Sequence, residues 1–99
     1  METGSYVMLG KEGNSAFYST VHGSGRVMSR KQAKKSFKGQ DLLLNIESKG
    51  IHVRTGSYSG LAEEAGGAYK NIDEVIKATE SAGLSSSVAR LVPLGTIKG

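Results

Sequence analysis

Ninety-nine residues allow one domain at most, and with 37% hydrophobic residues, no tryptophan and fourteen glycines the core available to it is modest. Thirteen Lys and Arg against nine Asp and Glu leave a net charge of +4, which favours anionic partners, while the absence of cysteine excludes a disulfide framework and any thiolate metal site within the chain. Neither a secretory leader nor an apolar run long enough to cross a bilayer is present, so a soluble, cytoplasmic protein with no membrane partner is expected, a piece that leans on something larger.

In chain order, Ser5 to Leu9 reads as a short strand stopped by Gly10 and the turn-prone Lys11-Glu12-Gly13-Asn14. An apolar stretch around Ala16, Phe17 and Tyr18 then delivers the chain to His22, where Gly23-Ser24-Gly25 must form a tight loop. Val27 to Phe37 has helical composition. Asp41 is placed to cap a second helix carrying Leu42, Leu43, Leu44 and Ile46 before Gly50, although so short an apolar run also suits a strand.

Ile51 to Arg54 alternates as a half-buried strand does, and Thr55 to Gly60, rich in Gly and Ser, reads as a loop. The strongest helical signal is Ile72 to Ala82, with Asn71 as cap, Glu74 in a capping-box position and Gly83 as terminator. Ser85 to Ile97 reads as irregular and partly extended, with Pro93 arguing against a central paired strand. The expected class is α+β, short strands with about three helices.

Chemistry concentrates around His22. The glycines after it let backbone amides converge on an anion, and a histidine beside a bound phosphate can attack phosphorus and pass the group on. Arg26 adds a planar, permanently charged donor for a further phosphate. Arg26, Arg30, Lys31, Lys34, Lys35 and Lys38 form a basic run able to track a nucleic-acid backbone. The plainer alternative remains open on spacing alone: an ordinary loop histidine, a glycine turn and a solvated helix face.

Several ordered segments together resemble the RtcB-type RNA ligases. They are Ser5-Tyr6-Val7, the run from Asn14 through His22-Gly23-Ser24-Gly25-Arg26 to Ser29-Arg30, Gly60-Leu61-Ala62-Glu63-Glu64-Ala65, and Gly67-Ala68-Tyr69-Lys70. Asp73-Glu74-Val75, Val88-Ala89-Arg90-Leu91, Pro93-Leu94-Gly95 and Lys98-Gly99 complete the set. The resemblance implies that residues 1–99 are the C-terminal, guanylate-binding portion of a larger ligase, which joins an RNA 3′-phosphate or 2′,3′-cyclic phosphate to a 5′-hydroxyl, as in tRNA splicing and RNA repair.

It further implies that His22 becomes guanylylated by GTP, with Gly23, Ser24 and Gly25 around the nucleotide phosphate. Met1 and Ser5 lie beside the nucleotide, Lys98 lies at the guanine, and Tyr69 packs on that base. Arg26 and Arg30, from the basic run, are expected to meet the RNA. The two Mn²⁺ ions of the family are held by upstream residues, none of them here, so the portion alone is expected to be inactive. RNA, GTP, the upstream portion and an archease-type activator are the implied partners.

Two residues depart from the family pattern, Glu2 where Gly is common and Ser24 where Ala is. A carboxylate beside nucleotide phosphates is unfavourable unless it points away or meets a metal or Arg. Two readings of other classes stand beside the ligase. One is a non-catalytic RNA-binding or assembly module. The other is a serine hydrolase with His22 as base, for which Gly56-Ser57-Tyr58-Ser59-Gly60 has the right glycines but tyrosine in the nucleophile position.

Overall fold

A computed structural model describes residues 1–99 and gives an α+β arrangement. Strand β1 (Ser5–Gly10) is followed, beyond a long turn region, by helices α1 (Arg30–Ser36) and α2 (Gly39–Ser48). Strand β2 (His52–Thr55), helix α3 (Tyr58–Glu63) and a single 3-10 turn (Gly66–Ala68) lead to helix α4 (Ile72–Ser81). Strands β3 (Ser85–Leu91) and β4 (Gly95–Lys98) close the chain.

Capping chemistry fixes where these helices begin. Ser29 accepts from the Gln32 amide, so α1 starts at Arg30 and not at Val27 as its composition suggests. Asn71 accepts from the amides of Asp73 and Glu74, as expected, and Gly83 follows the helix at φ +70°, a left-handed conformation that glycine adopts without cost. Asp41 does not cap α2. That helix begins two residues earlier, with Lys38 at the cap position making no side-chain bond and Asp41 inside the first turn, near the positive end of the dipole.

Two further expectations are corrected. The segment read as a loop from Thr55 to Gly60 contains the start of a fourth helix, α3, because Ser57 takes the cap position and accepts from the Gly60 amide at 3.0 Å. Leu61 and Ala62 on that helix are buried, so packing holds what local propensity leaves open. The segment from Ser85 to Ile97 is not irregular. It forms β3 and β4, separated by Val92, Pro93 and Leu94, so that Pro93 lies outside both ladders.

The strands form two small sheets. β1 and β3 pair antiparallel from Ser5↔Leu91 to Gly10↔Ser85, with a register shift between Val7 and Met8. β2 and β4 pair parallel from His52↔Gly95 to Thr55↔Lys98. Ile46, Ile51, Val53 and Leu61 make the core cluster, with Met1, Leu42 and Leu43 packed against it. The radius of gyration is 15.3 Å, against about 13 Å for a compact domain of this length, which agrees with the modest core that the composition allows.

Candidate functional site

The segment before His22 is held by Asn14. Its Oδ1 accepts from the Ala16 amide at 2.7 Å, and its Nδ2 donates to the carbonyls of Ser19 and Leu84. Phe17 and Tyr18 turn the chain here in the left-handed region, at φ 54° and 56°, with both side chains exposed. The Thr20 and Ser85 hydroxyls meet at 2.9 Å and tie this segment to β3. On the far side, the Lys70 amide donates to the Gly25 carbonyl and the Val27 amide to the Ala68 carbonyl. Gly25 sits at φ +69°, so the loop is as tight as its glycines suggest, and His22 is left exposed on it.

That loop borders an open cleft of about 780 Å³, a size ordinary for a small-molecule site. His22, Gly23, Ser24, Tyr69, Lys98 and Met1 all line it. Ser5 lines a smaller neighbouring cavity of about 220 Å³, which shares His22, Gly23 and Ser24 with the larger one. Gly25 lines neither; its part is the turn. Lys98 reaches the cleft because β4 lies parallel to β2, an arrangement extended by the bond from the Gly56 amide to the Lys98 carbonyl at 2.8 Å.

Tyr69 follows the 3-10 turn and pairs with Arg26 in an isolated bridge. The Arg26 guanidinium covers one face of its ring, 4.8 Å from the centroid, and donates to its hydroxyl at 2.9 Å. Arg26 also donates to the carbonyls of Met28 and Glu63. It is thus occupied inside the chain, where sequence suggested a free phosphate donor. Arg30 is largely exposed, and with Lys34 it pairs with Glu63. These two cations of the basic run are therefore partly neutralised.

Sequence reasoning missed Glu64, Arg90, Lys70 and Asp73 in the cleft wall. Glu64, Lys70, Asp73 and Arg90 all lie in segments that carry the resemblance, which was the one available signal. Glu64 accepts a short hydrogen bond from the Tyr69 hydroxyl and pairs with Lys98 at 3.8 Å. Arg90 donates to the Thr3 carbonyl at 3.0 Å, and Asp73 accepts from the Tyr6 hydroxyl at 2.7 Å. The Glu2 carboxylate is turned away into the fold: Oε1 accepts from the Gly66 amide at 2.9 Å and Oε2 pairs with Lys49 at 3.2 Å. Its charge is spent on those groups, which answers the electrostatic objection to a Glu at this position.

The Tyr69 hydrogen bond, foremost, holds the Glu64 carboxyl below its ordinary value, with Lys98, Arg26 and Arg30 acting the same way against the effect of burial. Burial, and then the bond to Glu64, raises the Tyr69 phenol. A depressed carboxylate contributes stability in full above its ordinary value of 4.5 and loses it as pH falls through the folded value. The raised phenol contributes below its ordinary value of 10.0 and loses that as pH rises beyond it. Denaturant unfolding followed from pH 6 to pH 3 is therefore expected to show a steeper acid loss for wild type than for Glu64→Gln.

No group of three His, Asp or Glu side chains comes together to hold a metal ion, and the Mn²⁺ that the resemblance implies is expected on residues outside this chain. The hydrolase reading loses its geometry as well. Ser57 caps α3, and none of Ser57, Tyr58 or Ser59 lines the cleft that holds His22.

The family model described as tRNA-splicing ligase RtcB matches residues 1–99. The chain belongs to the RtcB family. It is 52% identical to the RNA-splicing ligase RtcB of Mycobacterium tuberculosis over 99 residues, which is 100% of this chain and 23% of that one. Against the tRNA-splicing ligase RtcB of Archaeoglobus fulgidus the identity is 50% over 101 residues, 100% of this chain and 21% of that one. For Pyrococcus abyssi the figures are 46% over 101 residues, 100% and 11%. The chain thus spans less than a quarter of the RtcB relatives it matches. No helix in it is long and apolar enough to cross a membrane.

Proposed function

We propose that residues 1–99 are the guanylate-binding, histidine-bearing portion of a GTP-dependent RNA ligase that joins RNA 3′-phosphate or 2′,3′-cyclic phosphate ends to 5′-hydroxyl ends, with the cytoplasm as its setting. The observation that carries this reading is the single cleft lined by His22, Gly23, Ser24, Tyr69 and Lys98, residues far apart in sequence to which the resemblance gives one nucleotide. The RNA-splicing and tRNA-splicing names of the relatives support the substrate class.

GTP is the consumed co-substrate. A ring nitrogen of His22 attacks its α-phosphorus, the bond to the bridging oxygen breaks, and pyrophosphate leaves with the electron pair. A 2′,3′-cyclic end is first opened by water, which adds to phosphorus and releases the 2′-hydroxyl; an oxygen of the RNA 3′-phosphate then attacks the guanylyl phosphorus, freeing His22 and leaving the RNA end as an anhydride with GMP. The 5′-hydroxyl of the second RNA attacks the 3′-phosphorus, gives up its proton and expels GMP.

In this reading the amides around Gly23 and Ser24 hold phosphate oxygens, Gly25 shapes the loop, and Met1 and Ser5 border the nucleotide. Lys98 donates to the guanine carbonyl oxygen, and the ring of Tyr69 offers a stacking surface for the base. Arg30 meets RNA phosphate, and Arg26 holds Tyr69. Mn²⁺ would be held by residues of the upstream portion and would neutralise phosphate charge there; that portion, RNA and an archease-type activator complete the set of partners.

The test is incubation of the chain with α-labelled GTP and Mn²⁺, with and without the upstream portion of an RtcB ligase, read as label retained on the denatured chain. Label that requires the upstream portion is expected. RNA binding without label under either condition would favour the non-catalytic module.

A further inference from the structure

Glu64 lies at the end of α3, at the negative pole of that helix, where a carboxylate gains nothing from the helix itself. What surrounds it instead are four donors from separate parts of the chain, divided between its two oxygens. Oε2 accepts from the Tyr69 hydroxyl and faces Lys98 Nζ at 3.8 Å. Oε1 faces Arg26 Nη1 at 3.7 Å and Arg30 Nε at 3.9 Å. The first pair comprises the two groups that the reading above gives to the guanine, and the second the arginine that holds Tyr69 and the one that it gives to the RNA.

We propose that Glu64 is a positioning residue of the ligase, one carboxylate oxygen holding Tyr69 and Lys98 in place for the guanine and the other steadying Arg26 against Tyr69 and Arg30 toward the RNA. This rests on the guanylate-binding reading. The physical consequence is pre-organisation. A lysine carries four rotatable bonds, and an ion pair at its tip limits the positions it explores before the base arrives. Tyr69 is fixed twice, through its hydroxyl by Glu64 and across its ring by Arg26, and the same carboxylate faces Arg26 at 3.7 Å. Glu64 and Arg26 are about one-fifth exposed and Lys98 about one-third, so these pairs are partly shielded, whereas Arg30 is largely exposed and its pair is the weakest of the set.

The experiment uses the ligase completed by the upstream portion, and reads the rate of label transfer from α-labelled GTP against GTP concentration. Glu64→Gln keeps an acceptor for Tyr69 and removes the charge that faces Lys98. The expected result is a half-saturating GTP concentration raised about tenfold with the saturating rate within about threefold of wild type, the mark of lost binding without lost chemistry. In a Lys98→Ala background the same substitution is expected to add less than about twofold, because the two residues act as one unit. Glu64→Asp, with the charge kept on a shorter stem, is expected to fall between wild type and Glu64→Gln, and serves if the glutamine variant fails to fold.

An unchanged half-saturating concentration overturns the positioning role, and so does an effect that multiplies in full on Lys98→Ala. Equal loss of saturating rate and folding stability, with no shift in half-saturation, also overturns it, since that is the signature of a purely structural ion pair. Wild type that takes no label overturns the guanylate-binding reading and the role of Glu64 with it, whereas labelled wild type beside an unshifted variant overturns the role of Glu64 alone.

Discussion

His22→Ala is expected to take no label from α-labelled GTP in a ligase completed by the upstream portion, and to join no RNA, a loss of at least about a thousandfold for removal of the nucleophile in covalent catalysis. No other side chain on the loop can replace it. Ser24 is a hydroxyl without a neighbouring base in the loop, and Lys98 is paired with Glu64 across the cleft. The fold is expected to tolerate the change, because His22 is exposed on a segment without regular structure. Stability within about 0.5 kcal/mol of wild type, as for other exposed positions, should accompany the lost chemistry. Retained labelling of His22→Ala would remove the nucleophile from the account.

Gly39→Ala is expected to be strongly damaging for stability. A Cβ at Gly39 would lie 2.0 Å from the carbonyl oxygen of Tyr58, 2.6 Å from its carbonyl carbon and 2.8 Å from its Cα. All three are backbone atoms, so no side-chain rotation relieves the overlap, and α2 must move off α3. Overpacking of this kind costs about 3 kcal/mol. Because α3 carries Leu61 into the core and Glu64 follows directly as its C-cap, the shift is expected to reduce nucleotide affinity as well as stability. Gly13→Ala is the control, at φ +73° but with nothing within 4 Å of the added carbon, and about 1 kcal/mol of conformational strain is expected there. Denaturant unfolding of the two variants separates steric overlap from backbone strain, and equal losses would contradict the close packing of α2 on α3.

What could be read from the sequence was what local chemistry decides. Asn71 caps α4, Gly83 ends it, and the glycines after His22 make a loop, because each outcome depends on a few neighbouring residues. Helix α3 was hidden because Gly56, Ser57, Ser59 and Gly60 favour turns, while the packing that holds Leu61 and Ala62 involves residues of α2 and β2. β3 was hidden because Ser85, Ser86 and Ser87 have little strand preference, and its partner β1 lies about eighty residues earlier.

The same distinction governs the site. His22 and its loop are contiguous, and Tyr69 and Lys98 followed from the resemblance. The Glu64 network draws on residues 26, 30, 69 and 98, which spacing does not bring together. Arg26 was legible as a cation but not as one already engaged with Tyr69 and backbone carbonyls, since only the fold shows where its donors go.

The most direct test of the central claim is peptide mapping by mass spectrometry of the chain after reaction with GTP, Mn²⁺ and the upstream portion. A GMP adduct on the peptide carrying His22, labile to acid as a nitrogen–phosphorus bond is and absent from His22→Ala, is the predicted result. A GMP adduct on a lysine, or an RNA-joining enzyme whose His22 peptide never carries one, would contradict it.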